Sequence, residues 1–189
     1  MNQKHTYTIG GRDYPRVTEI LHAAGLYEWL DKIPADKLEF AKERGTAVHI
    51  ACQLFDEGRL GELDDRIKPY LEGWKKLRAD MKWGKEVILN ETTVYSNLWG
   101  VAGTLDRLFK GNILVDIKSG AVSNVVGLQT AAYAKLLLDC MGIKVKQRFS
   151  VQLCDDGTYK LTEFNKLSDW QNFLAALKIY QFKKKGNLI

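Results

Sequence analysis

Three extended runs between residues 86 and 118 limit the fold more than any other feature of the chain. They are Val87–Tyr95, Val101–Phe109 and Ile113–Lys118, and each is rich in β-branched and other apolar residues. The turn sequence Lys110-Gly111-Asn112 separates the last two. Helical periodicity precedes and follows these runs, so we predict a three-stranded meander covered by helices.

The rest of the chain alternates between helical and extended patterns without an internal repeat or a linker. The predicted elements before the meander are a hairpin of 7–9 and 12–14, a helix capped by Thr18, a helix from Asp36 to Glu57 stopped by Gly58, and a helix from about Leu63 to Trp83. Those after it are a helix from Asn124 to Met141, strands over 146–154 and 159–164, and a helix from Leu167 to Phe182. We therefore predict an α/β fold in one domain spanning 1–189, with a central mixed β-sheet flanked by helices and a helical elaboration near the N-terminus.

Composition excludes several classes of protein. At 189 residues with 46% hydrophobic residues the chain is long enough to bury one core, and its longest apolar stretch is interrupted by Lys135 and Asp139. We expect a cytoplasmic protein with no membrane partner. The three cysteines, Cys52, Cys140 and Cys154, contain no CxxC pair, which argues against a disulfide framework and against a metal site made by cysteine alone.

The net charge is +5, which is compatible with a polyanionic partner because lysine and arginine neutralise phosphates. Part of this charge comes from Lys183-Lys184-Lys185, which the sequence describes equally well as a solvated tail. No phosphate-loop, dinucleotide-binding, nucleophile-elbow or HExxH sequence is present. The charge alone does not identify the partner.

The run Ile113–Lys118 contains two of the residues that the sequence predicts to form a metal site. Because side chains alternate along a strand, Asp116 and Lys118 share one face, and the turn that precedes the run can bring Asp106 next to Asp116. Two converging carboxylates repel each other and are best stabilised by a hard divalent cation such as Mg²⁺. Taken singly, each of these residues is better explained as an edge-strand acid or an ion-pair partner, but the three together favour a metal site.

The order of these residues resembles a known family. Gly103-Thr-Leu-Asp106, Asp116-Ile-Lys118 and Gln129-Thr-Ala-Ala-Tyr133 follow the pattern of the PD-(D/E)XK nuclease superfamily, and in particular of its RecB-type exonuclease branch, which includes phage nucleases and the mitochondrial genome maintenance exonuclease. Two upstream segments, Tyr14-Pro-Arg-Val-Thr-Glu-Ile-Leu21 and Arg44-Gly-Thr-Ala-Val-His49, strengthen the resemblance, which covers roughly residues 14 to 133.

The resemblance implies a restriction-endonuclease-like core and a role for each matching residue. It implies that Asp106, Asp116, the imidazole of His49 and the backbone carbonyl of Ile117 ligate Mg²⁺ or Mn²⁺, and that Lys118 activates or orients the attacking water. Three further residues are implied to support the site or to contact the DNA backbone: Glu91, Gln129 and Tyr133. One position departs from the family, because the glutamate that often follows the histidine by four residues is Gln53 here.

The resemblance leads us to expect a metal-dependent DNA nuclease, most consistent with an exonuclease acting on free ends or single strands. The alternatives are a structure-specific endonuclease, a catalytically silent DNA-binding module of the same fold, and a protein–protein adaptor whose basic surface is incidental. The alternative for His49 is a hydrogen-bonded core histidine, and Gln129 and Tyr133 equally suit a core cap. For Glu91, the sequence favours a structural role over a catalytic one. The aromatic residues Tyr95, Trp99 and Trp83 are candidates for stacking on single-stranded bases, although core packing suits Trp83 better.

Overall fold

The computed structural model describes residues 6–81 and 86–189. The strands are β1 (Tyr7–Ile9), β2 (Arg12–Tyr14), β3 (Val87–Ser96), β4 (Val101–Phe109), β5 (Ile113–Lys118), β6 (Gln147–Leu153) and β7 (Tyr159–Glu163). The helices are α1 (Val17–Ala23), a short 3-10 helix (Glu28–Lys32), α2 (Ala35–Asp56), α3 (Lys68–Asp80), α4 (Val125–Met141) and α5 (Ser168–Lys185).

The central sheet has five strands in the order β3-β4-β5-β6-β7. The pairs β3–β4, β4–β5 and β6–β7 are antiparallel, whereas β5 and β6 are parallel because α4 carries the chain across the sheet between them. The predicted mixed sheet with flanking helices is therefore confirmed. The small hairpin β1–β2 forms a separate two-stranded sheet, also as predicted.

Two apolar cores lie on the two faces of the central sheet. The first core joins the sheet to α1, α4 and α5 and contains Leu114, and the second core joins the other face to α2 and α3 and contains Ile113, Val115 and Ile117. The alternation predicted for β5 is confirmed by this division. Arg148 of β6 pairs with Asp169 of α5 at 2.9 Å, which ties the sheet to the last helix.

Several predicted helix boundaries are wrong, and local hydrogen bonds explain two of the differences. α1 begins at Val17 with Arg16 as its N-cap, so Thr18 lies inside the helix, where the backbone N–H of Arg16 donates to Glu19 at 3.3 Å. The start of α2, at Ala35, agrees with the prediction of a start near Asp36. The predicted start at Leu63 is five residues early, because the Asp64 carboxylate accepts from the backbone N–H of Arg66 in a turn that keeps this segment out of the helix.

The ends of the helices agree better with the sequence. α2 and α4 end just before the predicted stop signals Gly58 and Gly142, with one residue, Glu57, between α2 and the first of these. The predicted end of the third helix at Trp83 lies outside the described residues, and so does the role proposed for that side chain. Lys183 lies in the last turn of α5 and donates to the carbonyl of Ala23 at 2.7 Å, so the basic segment begins within a packed helix rather than as a free tail.

The three cysteines are free thiols, as the sequence predicts. Cys52 is fully buried in the second core, and burial raises the pKa of its thiol. Among the described residues, none of the helices combines the length and the apolar character that crossing a bilayer would require.

Gly45 in α2 offers a test of helix energetics. A Cβ added there would meet Ser119 Oγ at 3.7 Å, an ordinary contact, so we expect Gly45→Ala to raise the free energy of unfolding by about 1 kcal/mol. Gly73 in α3 is the matched control, because a Cβ there would lie 2.6 Å from the backbone oxygen of Thr158. Gly73→Ala should lower the free energy of unfolding by about 2 kcal/mol, measured by urea denaturation. The same sign for both changes would contradict this account.

Candidate metal centre

The candidate site forms where β4 and β5 separate. Their pairing ends at Arg107 opposite Val115, so Ile117 has no backbone partner on β4. Two side chains occupy the resulting gap: Asp106 Oδ2 accepts the backbone N–H of Ile117 at 2.6 Å, and His49 Nε2 contacts the Ile117 carbonyl oxygen at 2.9 Å. The predicted histidine on α2, the predicted aspartate on β4 and the predicted carbonyl on β5 therefore meet at one point.

β4 departs from regular alternation at the position that places Asp106. Leu105 and Leu108 both pack in the first core although they are three residues apart, which a regular strand does not allow. Directly across on β3, Glu91 lies between the partners of Arg107 and Leu105 and has φ +43°, an unfavourable conformation for a residue with a side chain. This local distortion lets Asp106 and Glu91 approach the same histidine.

His49, Glu91 and Asp106 form a group of nitrogen and oxygen donors. One ligand atom from each lies within 4.8 Å of the other two, and His49 Nδ1 is 3.5 Å from Glu91 Oε1 and 3.6 Å from Asp106 Oδ1. Burial opposes protonation of His49, but the carboxylates of Asp106 and Glu91 outweigh it and raise the pKa of the imidazole to about 9. Such a concentration of negative charge suits a cation as well as it suits a proton.

Asp116 and Lys118 lie beside this group as an ion pair. Lys118 Nζ is 2.7 Å from Asp116 Oδ2, and the Asp116 side chain is only 2% exposed. Burial raises the pKa of Asp116 to about 6, with the ammonium of Lys118 acting against it and the carboxylate of Asp106 adding to it. Burial disfavours the charged form of Lys118, but the carboxylates of Asp116 and Asp106 outweigh it and raise the pKa of the amine. Lys118 is therefore a cation at neutral pH.

Asp116 has one oxygen that the described residues leave without a partner. Oδ2 faces Lys118 and, at 3.5 Å, the hydroxyl of Ser150 on β6, whereas Oδ1 is buried and accepts no hydrogen bond from any described residue. A buried, unpaired carboxylate oxygen is costly unless something else binds it. This oxygen and the three-donor group have the chemistry that a hard divalent cation prefers. The Ile117 carbonyl oxygen contacts His49 Nε2, whereas Glu91 and Asp106 face His49 Nδ1.

Gln129 and Tyr133 are buried on α4 and bond to each other, with Gln129 Nε2 donating to the Tyr133 hydroxyl at 3.2 Å. Burial raises the pKa of Tyr133, and the nearby charges of Asp106 and Asp116 raise it further. The pair therefore lies within electrostatic reach of the carboxylates. The contacts of the described residues link the pair to the site without showing either side chain as a ligand.

The structure shows the surroundings of Gln53, the one departure from the family, and of two aromatic residues considered for base stacking. Gln53 donates to Glu57 at 3.0 Å on an exposed part of α2, so it is not one of the three donors. Trp99 packs edge-on against Trp170 with ring centroids 5.2 Å apart and adjoins the first core, which favours packing over base stacking. The ring of Tyr95 is tilted by 59° against that of Tyr14, with ring centroids 5.8 Å apart.

Sequence reasoning missed three neighbours of the site. Arg107 is buried and donates a hydrogen bond to Glu91, and the Ser150 hydroxyl donates to Asp116. Tyr27 is near enough to Lys118 and Asp116 for their charges to affect the pKa of its hydroxyl. Of the three, only Arg107 was detectable from the sequence. It is two residues from Phe109 on β4, so alternation places this charged residue on a face where an apolar residue is expected. Ser150 and Tyr27 are ordinary residues in their local sequence and gave no such signal.

Comparison with known proteins shows the fold but no family. No family model matches the chain, and no curated protein matches it. A candidate exonuclease from Eubacterium rectale is similar over 75% of this chain and 68% of its own, with a TM-score of 0.53 and 15% identity. This likeness shows that the two proteins share the sheet and its flanking helices.

Two further solved structures are similar at a lower level. The alkaline exonuclease LHK-Exo from Laribacter hongkongensis has a TM-score of 0.39 and 14% identity, over 92% of this chain and 93% of that chain. The same enzyme in complex with dAMP has a TM-score of 0.31 and 16% identity over 92% and 93%.

Proposed function

We propose that this chain is a metal-dependent deoxyribonuclease, most consistent with an exonuclease of the RecB-type branch of the PD-(D/E)XK superfamily. The observation that carries the proposal is the meeting of His49, Glu91 and Asp106 where β4 and β5 separate, beside the pair of Asp116 and Lys118. The shared fold with the Eubacterium protein, named as a candidate exonuclease, is consistent with it. Two cores on the two faces of one sheet support a single domain.

The proposed cofactor is Mg²⁺ or Mn²⁺, held by Asp106, Asp116, His49 and the carbonyl of Ile117, with Glu91 next to them. A bound divalent cation would supply positive charge to the scissile phosphate and to the attacking water. The side chains of the protein would bind the cation, orient the water and contact the DNA. Gln129 and Tyr133 support the wall of the site from α4 or contact the DNA backbone.

Lys118 is suited to stabilising charge rather than to removing a proton. Its ammonium is held by Asp116 at 2.7 Å and its side chain is 28% exposed, so it reaches the site surface while keeping its charge. Three donors on one ammonium can bind a phosphate oxygen and orient water at the same time. Asp116 fixes the direction of that ammonium and, through its second oxygen, faces the cation.

The experiment that tests the proposal is digestion of end-labelled DNA. Linear single-stranded and double-stranded DNA, and closed circular DNA, are incubated with Mg²⁺, with Mn²⁺ and with EDTA. We expect linear DNA to be degraded from its ends, circular DNA to survive, and EDTA to stop the reaction. Cleavage of circular DNA would favour the endonuclease, and binding of DNA without cleavage in any metal would favour the silent binding module. Degradation that is unaffected by EDTA would contradict metal dependence.

A further inference from the structure

Arg107 is a fully buried arginine behind the candidate metal centre. Its Nε donates to Asp56 Oδ2 at 2.7 Å, and its Nη1 donates to Glu91 Oε1 at 2.9 Å and to the carbonyl oxygen of Asp106 at 2.7 Å. The exposed fraction of its side chain is 0%. One guanidinium therefore joins α2, β3 and β4 at the point where those three elements supply the donor group.

Asp56 holds the guanidinium from the side opposite Glu91. The Asp56 side chain is 1% exposed, and its Oδ1 accepts the indole N–H of Trp74 at 3.1 Å. Arg107 also lies over the Trp74 ring, with 5.7 Å between the guanidinium carbon and the ring centroid. Because Trp74 is fully buried in the second core, the carboxylate and the guanidinium have little freedom to move.

The position of Asp56 on α2 links this pair to His49. The two residues are seven apart, which is about two turns, so they lie on the same face of the helix. A tie between Asp56 and β4 therefore fixes the distance from α2 to β4 at the level of His49 and Asp106. Those two side chains are 3.6 Å apart.

Glu91 needs an opposing charge to stay where it is. Its backbone is in the left-handed region at φ +43°, and its carboxylate shares His49 with that of Asp106. Arg107 Nη1 supplies that opposing charge, because it donates to Glu91 Oε1 at 2.9 Å from a fully buried side chain. A buried ion pair contributes little net stability compared with apolar residues of the same size, so we look for its effect in the geometry of the donors rather than in stability.

We propose that Arg107, held by Asp56, is a positioning residue that sets the spacing of His49, Glu91 and Asp106 and thereby the affinity of the site for a divalent cation. The inference rests on the proposed function, because it assigns the regulation of cation affinity at the same site. Arg107 bonds to the Glu91 carboxylate and to the Asp106 backbone carbonyl, and none of its side chain is exposed to solvent.

The test is Mn²⁺ binding to the full chain, measured by isothermal titration calorimetry for wild type, Arg107→Met and Asp56→Asn. Residues that orient metal ligands change affinity by about tenfold to a hundredfold when replaced, and we expect a rise of that size in the dissociation constant of both variants. The Mn²⁺ concentration that gives half-maximal DNA cleavage should rise by the same factor, whereas the rate at saturating Mn²⁺ should recover.

Arg148→Met is the matched control, because it removes another sheet arginine, only 13% exposed, that pairs with a carboxylate, here that of Asp169 on α5. We expect it to lower the melting temperature as Arg107→Met does and to leave the Mn²⁺ dissociation constant unchanged. The proposal is overturned if folded Arg107→Met binds Mn²⁺ as wild type does, or if Arg148→Met loses the same affinity. If Arg107→Met does not fold, Arg107→Lys takes its place. Lysine keeps the positive charge but cannot bond to Asp56 and Glu91 through separate nitrogens as the guanidinium does.

A structural measurement separates this inference from the proposed function. If wild type binds no Mn²⁺, the metal-dependent function fails, and crystal structures of metal-free wild type and Arg107→Lys then decide the positioning role. We expect the Glu91 carboxylate to move away from His49 by about 1 Å or more in the variant, a displacement large enough to impair a site of this kind. Unchanged positions of His49, Glu91 and Asp106 would overturn it.

Discussion

Asp116→Ala is expected to lower metal-dependent DNA cleavage by about a thousandfold while the protein stays folded. The change removes the buried Oδ1, which bonds to no described residue and which we propose as a cation ligand, and also the Oδ2 that holds Lys118. The fold should tolerate it, because burial already raises the pKa of Asp116 to about 6 and its charged form does not stabilise the metal-free protein at neutral pH. Single-turnover cleavage of end-labelled DNA and circular dichroism measure the two effects.

Lys118→Ala should have an effect of similar size for a different reason, since it removes the cation that opposes charge on the phosphate. Lys110→Ala is the matched control, because Lys110 lies in the turn before the same strand, is exposed, and pairs with Glu86 at 3.0 Å. The control should cleave DNA as wild type does. Full activity in either Asp116→Ala or Lys118→Ala, with the protein folded, would refute the assignment of the site.

The sequence predicted most of the sheet because periodicity reports which face of a strand is buried. The alternation in β5 placed Ile113, Val115 and Ile117 in one core, and the structure confirms it. The turn between β4 and β5 likewise indicated that Asp106 would lie on the strand that runs beside Asp116. Boundaries such as the start of α3 were missed, since the Asp64 turn that delays the helix depends on a hydrogen bond that periodicity does not describe.

The candidate site was predictable only in part, because its members come from distant parts of the chain. Asp116 and Lys118 are neighbours on one strand, so local geometry placed them together. His49 came from the resemblance alone, since nothing in a helix sequence says which strand carbonyl a histidine will meet. The bond between Arg107 and Asp56 joins residues 51 apart, and only the folded chain shows that these charges neutralise each other.

Gly103 allows an independent test of how α4 supports the site. A Cβ at this position of β4 would lie 2.5 Å from Tyr133 Cε1 and 3.3 Å from Val17 Cγ2, so the ring and its helix would have to move away from the strand. We expect Gly103→Ala to lower the free energy of unfolding by about 3 kcal/mol, and the melting temperature by about 6–12 °C. Cleavage should fall as well, measured at a temperature where the variant is fully folded.

A second change distinguishes this clash from other effects of alanine. Tyr133→Leu removes the ring atoms that the new Cβ would meet, so the double variant Gly103→Ala/Tyr133→Leu should be more stable than the two separate losses would predict. Gly61→Ala is the control, because a Cβ there meets nothing within 4 Å, and its melting temperature should stay near that of wild type. Additive losses in the double variant would show that the ring of Tyr133 does not occupy the space above Gly103. In that case, the close packing of α4 on β4 would not explain why residue 103, three residues before Asp106, is a glycine.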